Sequence, residues 1–320
     1  MIRTVTTMML SSVVTVSLFG ISVFPIAVGA AEPSEGTTIA GFASQTEPLV
    51  FDTPEAAVDA FKAALSADDF DRLANLLGLD PEKARSGEGV MDTYGEIREG
   101  ARKQLNVREA DGRRILEIGE KLWPLPFPIV KGEDGKWSFD TYAGFEEIIN
   151  RRVGENELQA IATMRAYIDA QREYEAEDHD GDGVLEYAQK LLSSDGQTDG
   201  LYWSPDLGAG SSPAGAALES ADVLSKAKSE AGYFGYRYRI LTGQGPNIAG
   251  GKFDYVINGN MIAGFGLTAW PVRYGETGVH TFLVNANGTV YQADLGKNTD
   301  TIAPGIKIFN PDDNWEVTDD

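Results

Sequence analysis

The residues with the clearest capacity for chemistry lie in the segment DHDGDGVLEYAQ, which runs from Asp178 to Gln189. In a helix-loop-helix calcium loop, oxygen ligands occupy positions 1, 3, 5, 7, 9 and 12, and a glycine at position 6 makes the sharp turn. Counted from Asp178, the pattern predicts four carboxylate ligands and one main-chain carbonyl ligand: Asp178, Asp180, Asp182, Glu186 and the carbonyl of Val184. Position 12 is a glutamine, so we expect weak affinity, on the order of millimolar.

The same three aspartates can also form a solvated acidic turn that holds no ion. The apolar spacing before them predicts a helix, and negative charge at the C-terminal end of a helix is unfavourable because the helix dipole is negative there. The like charges also repel one another at this spacing. A bound cation would relieve both costs, so the pattern favours calcium, with the acidic turn left open as the alternative.

Four aromatic residues in two segments, GLYWSP and TAWPVRYG, are candidate contact residues. Both segments are predicted to lie near loops, where exposed rings could stack on sugars or contact a protein partner. The rings could instead cover the core of a sheet, which is the commoner environment of large aromatic side chains. The candidate binding residues are Tyr202, Trp203, Trp270 and Tyr274.

The sequence contains no strong signal for catalysis. Its two histidines are His179, inside the aspartate loop, and His280, in a predicted strand, and neither has a second histidine at metal-ligand spacing. We expect His280 to pack or to form a hydrogen bond. The segment GSSPA lacks the context of a nucleophile elbow, and GQGPNIAGG matches neither phosphate-binding glycine pattern. Catalytic residues are therefore left unassigned.

Charge and composition narrow the classes of partner. The chain has 320 residues, with 49 Asp and Glu against 27 Lys and Arg, and a formal net charge of -22. A phosphate backbone would be repelled over most of such a surface, which argues against a nucleic-acid partner. There is no cysteine, so disulfides, thiolate metal sites and a cysteine nucleophile are excluded.

The N-terminal segment is predicted to be a targeting signal. Residues 1–30 have one arginine near the start, an apolar stretch and small residues before charge returns at Glu32, which is typical of a secretory signal peptide cleaved after Ala30 or Ala31. Residues 31–51 have no periodicity and are predicted to be a flexible leader. No later segment is long and apolar enough to span a bilayer. We therefore expect a periplasmic or secreted protein without a membrane span after cleavage.

Residues 52–153 are predicted to form an α+β domain shaped like a cone. Thr53 can cap a helix that begins at Pro54, and two further amphipathic segments follow. The pattern then alternates through RRILEIGEKLWPLPFPIVKGEDGKWSFDT, with a turn predicted at GEDGK. Helices followed by strands that pack on them favour the α+β class.

Residues 154–320 are predicted to form a second α+β domain, one long helix packed on an antiparallel sheet. Asn156 followed by Gln159 has the form of a helix cap, which predicts a new helix start after Gly154 and places the domain boundary there. Short aromatic and β-branched runs follow, and two of their junctions are the turn-forming pairs Asn258-Gly259 and Asn287-Gly288.

Several stretches resemble known families. The segment TPEAAVDAFKAALSADDFDRLANLL with the strand GKWSFD resembles the nuclear-transport-factor-2-like superfamily, a cone-shaped fold that often encloses a pocket. The stretches GYRYRILTGQGPNIAGG and TAWPVRYGETGVHTFLVNANGTVYQADLG resemble a bacterial family of exported proteins known as domain of unknown function 2950, which implies no known activity. The second half is also similar to the globular heads of type II secretion pseudopilins, which commonly hold calcium in a loop.

The sequence therefore predicts an exported cell-envelope protein that binds or scaffolds an unidentified protein or glycan and carries a weak structural calcium site. The alternative is an extracytoplasmic hydrolase that uses a pocket in the first domain or a cleft lined by carboxylates. Convergence of His280 and a carboxylate in one cleft would favour the hydrolase.

Overall fold

The computed structural model describes residues 39–87, 89–215 and 232–318. The predicted signal peptide, its cleavage site and the start of the predicted leader lie outside the described residues. Within the described residues the chain mixes helices with antiparallel sheets, which confirms the α+β class.

Four α-helices lie between residues 54 and 103. The first begins where the sequence predicts, because the Thr53 hydroxyl accepts a hydrogen bond from the amide of Ala56 and Pro54 occupies the first helical position. Asp69 and Asp80 cap the next two in the same way. The helices are α1 (Pro54–Ser66), α2 (Phe70–Leu76), α3 (Pro81–Ser86) and α4 (Val90–Lys103).

A five-stranded antiparallel sheet follows α4. Its strands are β1 (Leu105–Ala110), β2 (Arg113–Ile118), β3 (Trp123–Pro124), β4 (Ile129–Lys131) and β5 (Trp137–Phe139). The order is β1-β2-β4-β5, with β3 beside β2, and the predicted turn at GEDGK joins β4 to β5. Phe61 of α1 packs with Leu116, Ile118 and Ile129 of the sheet in the first hydrophobic core.

Part of the predicted leader is structured, contrary to the prediction. Residues Ile39–Phe42 form a 3₁₀ turn, Ala43 bridges to Leu79, and Phe51 bridges to Trp137 of β5. Phe42 and Phe51 pack against the first core. The sequence lacks periodicity here because the segment pairs with distant residues and forms no regular element of its own.

The predicted helix break at Gly154 is wrong. Helix α5 is continuous from Thr141 to Tyr174. A glycine costs a helix only about 1 kcal/mol relative to alanine, and contacts on both sides of Gly154 offset that cost. The Arg152 side chain donates to the carbonyl of Glu276 at 2.9 Å, and that of Asn156 donates to the carbonyl of Thr277 at 2.8 Å. Asn156 is therefore a tertiary contact, not a helix cap.

The second half of the chain forms another five-stranded antiparallel sheet, ordered β14-β13-β12-β11-β6, and two short hairpins, β7 with β8 and β9 with β10. In chain order the strands are β6 (Tyr236–Leu241), β7 (Gly243–Gln244), β8 (Phe253–Asp254), β9 (Val256–Ile257), β10 (Asn260–Met261), β11 (Gly266–Pro271), β12 (His280–Asn285), β13 (Tyr291–Asp294) and β14 (Glu316–Val317). Asn258 and Gly259 between β9 and β10 both have positive φ, 54° and 101°. This confirms the turn predicted from the Asn-Gly pair.

The second sheet is covered on both faces. Met164 and Ile168 of α5 pack with Phe282 and Val284 of β12 in the second core, and a smaller third cluster on the other face contains Leu241, Leu283 and Phe309. Helix α6 (Thr299–Ile302) lies between two 3₁₀ turns in the segment that follows β13. Across the described residues, no helix is both long and apolar enough to cross a membrane.

Candidate functional site

The structure brings three of the predicted calcium ligands together. Asp178, Asp180 and Asp182 lie in the loop that follows α5, all three exposed, and one carboxylate oxygen of each lies within 4.8 Å of the others. Gly181 and Gly183 take positive φ of 78° and 86°, which folds the three alternate aspartates onto one side. Position 6 of the predicted loop therefore has the glycine conformation that the pattern requires.

Main-chain amides fix the orientation of the three carboxylates. Asp178 accepts from the amides of Gly183 at 2.9 Å and Gly181 at 2.7 Å, and these bonds hold the pKa of Asp178 below its usual value. Asp180 accepts from the amide of Asp182 at 3.1 Å, and Asp182 from the amide of Val184 at 2.8 Å. A carboxylate oxygen keeps a lone pair after such a bond, so each aspartate can still bind a cation.

The other two predicted ligands do not join the cluster in the same way. The Glu186 carboxylate accepts from the amide of Met261 at 2.9 Å, so it is directed at the β9–β10 hairpin. The amide of Val184 donates to the Asp182 carboxylate, which holds Val184 at the end of the loop. Gln189, at position 12, donates to the carbonyl of Gly259 at 2.6 Å.

The hairpin also contacts the cluster itself. The side-chain nitrogen of Asn260 lies 2.6 Å from the second carboxylate oxygen of Asp182. The main-chain amide of Tyr187 donates to the carbonyl of Met261 at 2.9 Å. The aspartate loop and the β9–β10 hairpin therefore form one hydrogen-bonded unit. No local pattern in the sequence indicates this pairing, because the two segments are far apart along the chain.

The loop is anchored to the end of α5 by aromatic packing. The His179 ring stacks on the Tyr174 ring with centroids 4.0 Å apart, and the centroid of the Trp203 ring lies 5.5 Å from that of the His179 ring. Burial, with a smaller effect of nearby carboxylates such as Glu186, raises the pKa of Tyr174 to about 12. His179 is therefore a packing residue, and its ring contacts attach the aspartate loop to the end of α5.

The exposed-contact interpretation is wrong for three of the four candidate binding aromatics. Tyr202, Trp203 and Trp270 are buried, and the Trp203 indole nitrogen donates to the carbonyl of Gly210 at 3.2 Å. Of the four residues, Tyr274 alone reaches the surface. Its side chain is half-buried, and its hydroxyl donates to the Asp294 carboxylate at 3.2 Å. The alternative, that these rings cover the core, is confirmed for the two tryptophans and Tyr202.

Sequence reasoning missed the contact between Glu157 and His280. One Glu157 oxygen accepts from the amides of Val279 at 2.8 Å and His280 at 2.9 Å, and the other lies 3.1 Å from Nδ1 of His280. The Tyr236 hydroxyl donates to the carbonyl of His280 at 3.0 Å. Glu157 thus fastens α5 to the start of β12, and its bonds to the main chain identify it as a structural acceptor.

A shallow surface pocket of about 440 Å³ in the first half bears on the hydrolase alternative. It lies where the α1–α2 turn faces α3 and α4, and its carboxylates are already paired. Asp68 accepts from Arg98 and Tyr94, and the hydrogen bond from Arg98 lowers its pKa. Asp71 pairs with Arg85. Carboxylates held by arginines are poorly suited to accept and return a proton near neutral pH.

Comparison with known proteins places the chain in a family. No curated protein and no solved structure matches it. The family model described as a protein of unknown function (DUF2950) matches residues 49–318, which include both sheets, α5 and the aspartate loop. Because this match spans most of the chain, the protein belongs to the DUF2950 family.

Proposed function

We propose that this chain is an exported protein of the bacterial cell envelope that binds or scaffolds another envelope component and carries a weak structural calcium site. One observation carries the calcium part of the proposal. The ligand oxygens of Asp178, Asp180 and Asp182 lie within 4.8 Å of one another, in a loop whose glycines have the required positive φ.

Electrostatics supports a cation at this point. Three carboxylates at such short separations repel one another, and they follow the C-terminal end of α5, where negative charge is disfavoured. A divalent ion would reverse both effects. Calcium accepts irregular sets of six to eight oxygen ligands, whereas magnesium requires near-octahedral geometry and retains its water, so calcium suits an exposed three-carboxylate loop better.

Weak affinity follows from the ligand set. The glutamate that would bind in a bidentate manner at position 12 is replaced by Gln189, and Glu186 is engaged by the amide of Met261. Three carboxylates, with the Val184 carbonyl and water to complete the shell, support a dissociation constant on the order of millimolar, the range of extracellular modules. An ion of this affinity would be bound outside the cytoplasm and would be largely absent within it.

The proposed role of the ion is structural. Asp182 is both a candidate ligand and the acceptor of the Asn260 side chain, so an ion bound to Asp182 would also stabilise the β9–β10 hairpin. The partner is an envelope protein or glycan. The net charge of -22 argues against nucleic acid, and residues 1–30 have the composition of a secretory signal peptide.

Calorimetric titration tests the calcium site directly. Chelator-treated protein should bind one calcium ion per chain with millimolar affinity, and Asp182→Asn should abolish the binding heat. Asp195→Asn, in the next exposed turn, is the matched control and should leave binding intact. Absence of binding heat in the unsubstituted protein at millimolar calcium would refute the calcium site.

The envelope role needs a separate experiment. Co-sedimentation with purified cell-wall glycan, with and without calcium, tests the glycan partner, and recovery of a chain that begins at Ala31 or Glu32 from the envelope fraction tests export. A full-length chain that remains in the cytoplasm would contradict the export part and leave the calcium part intact.

We also propose the finer fold assignment. Separate first and second cores support two domains, the helices packed on the first sheet support a cone-like first domain, and α5 on the second sheet supports a head resembling those of pseudopilins. The observation that favours the hydrolase alternative is the 3.1 Å contact between Glu157 and His280. Glu157 also accepts two main-chain amides, which favours the structural role.

A further inference from the structure

A group of buried polar atoms lies on the face of the second sheet that is turned away from α5. Ala269 of β11 and Phe282 of β12 face α5 as a cross-strand pair, so the residues that alternate with them face the other side. These are Thr268 and Trp270 on β11 and Thr281 on β12.

All three residues carry a polar atom without a hydrogen-bond partner among the described residues. These atoms are Oγ1 of Thr268, Nε1 of Trp270 and Oγ1 of Thr281. Thr268 and Thr281 are 0% exposed and Trp270 is 4% exposed, so bulk solvent does not reach them. Buried polar groups without a partner are rare in folded proteins, because each one loses its hydrogen bonds to water.

The register brings the three groups next to one another. Thr268 and Trp270 are two residues apart on the same face of β11, and the antiparallel register that pairs Ala269 with Phe282 sets Thr281 opposite Trp270. Thr268 itself pairs with Leu283, which continues the same face of β12. The three side chains therefore project from neighbouring positions on one face of the paired strands β11 and β12.

The segment that follows β13 is linked to this face of the sheet through Arg239. The Arg239 guanidinium lies 5.4 Å from the centroid of the Trp270 ring and donates to the carbonyl of Pro304, in the 3₁₀ turn after α6. Thr299 and Ala303 of the same segment are 0% exposed. The Thr299 hydroxyl donates to the carbonyl of Gly296 at 2.6 Å and is therefore already partnered.

We infer that Thr268, Trp270 and Thr281 form a binding site for one internal water molecule. An indole nitrogen can only donate, so its partner must be an acceptor, and a threonine hydroxyl can accept the hydrogen bonds that the same partner donates. A water molecule meets these requirements with three hydrogen bonds, the usual number for a buried water. The proposed water joins β11 to β12, independently of calcium.

A double-mutant cycle tests the water site. Thr268→Val and Thr281→Val keep the β-branched shape and remove one hydroxyl each. If the water bridges them, each variant lowers the urea midpoint, and the second substitution costs less than the first because the water has already lost a partner. Thr242→Val, an exposed position just beyond β6, is the matched control and should leave the midpoint unchanged.

The opposite result is equally clear. If the hydroxyls have no partner, each valine removes a buried unpaired group and raises the urea midpoint, which would overturn the proposal, as would two losses that simply add. Nuclear magnetic resonance gives a second readout that does not need the double variant to fold. The Trp270 indole proton, assigned through Trp270→Phe, should show a cross-peak to a long-lived water, and absence of that peak in the unsubstituted protein would also overturn the proposal.

Discussion

Gln171 on α5 binds both main-chain hydrogen-bonding groups of Ala188. The amide of Ala188 donates to the side-chain oxygen of Gln171 at 2.8 Å, and the side-chain nitrogen of Gln171 donates to the carbonyl of Ala188 at 2.8 Å. Gln171 is fully buried and also donates to the Tyr167 hydroxyl at 2.9 Å. The aspartate loop lies between Gln171 and Ala188 in the chain, so this pair of hydrogen bonds holds the two ends of the loop together.

Gln171→Ala should therefore destabilise the protein and loosen the loop. Removal of the side chain leaves the buried amide and carbonyl of Ala188 unpaired, at a cost of about 1–3 kcal/mol for each group. Urea denaturation measures the loss, and calcium affinity should fall with it. Gln159→Ala, at an exposed position on the same helix, should have little effect. Equal urea midpoints for the two variants would show that the clamp contributes nothing.

Glu157→Gln should weaken the attachment of α5 to β12. The glutamine keeps one oxygen for the amides of Val279 and His280 but loses the negative charge that strengthens those bonds and the contact with Nδ1 of His280. We expect a loss of about 1–3 kcal/mol in the free energy of unfolding at neutral pH. The control is Glu155→Gln, which is exposed on the same helix. A loss no larger than that of the control would mean that the contact is not formed in solution.

Trp203→Ala should be strongly destabilising. The ring is 5% exposed, packs in the second core and donates to the carbonyl of Gly210, so its removal leaves a cavity, at a cost of about 3–5 kcal/mol. Tyr142→Ala provides the contrast, because that ring is 67% exposed. If thermal unfolding is unchanged in Trp203→Ala, the ring is a surface contact residue after all.

Alkaline pH should destabilise the region around Tyr174. Burial raises the pKa of Tyr174 to about 12, whereas the pKa of a tyrosine in the unfolded chain is about 10. A raised folded-state pKa stabilises the protein fully below the unfolded value, and that contribution is lost as pH rises from about 10 through the folded value. Tyr174→Phe removes the ionisable group, so its unfolding free energy should fall less steeply over this range. Parallel curves for the two proteins would contradict this explanation.

Local signals in the sequence predicted the parts of the fold that depend on neighbouring residues. Thr53 and Pro54 begin α1 because cap and first-turn chemistry act within a few residues. The Asn258-Gly259 turn and the glycines of the aspartate loop follow from backbone conformations that few other residues adopt. The grouping of Asp178, Asp180 and Asp182 was predictable for the same reason.

Contacts between distant residues could not be predicted in this way. Glu157 and His280 are 123 positions apart, and neither carries a local pattern that indicates the other. The helix break predicted at Gly154 failed because Arg152 and Asn156 contact the loop before β12. Glu186 fits the ligand spacing of a calcium loop, yet the amide of Met261, on a hairpin remote in sequence, determines where its carboxylate points.

The melting temperature with and without calcium tests the central claim most directly. An ion that binds only the folded state at ten times its dissociation constant adds about 1.4 kcal/mol of stability. For a protein of this size, that is a rise of about 3–6 °C. Magnesium should produce a smaller rise, and Asp180→Asn should abolish the calcium response, whereas Asp59→Asn, exposed on α1, should retain it. If chelator-treated protein melts at the same temperature with and without calcium at ten times the expected dissociation constant, about 10 mM, the aspartate loop is an acidic turn and the calcium site is refuted.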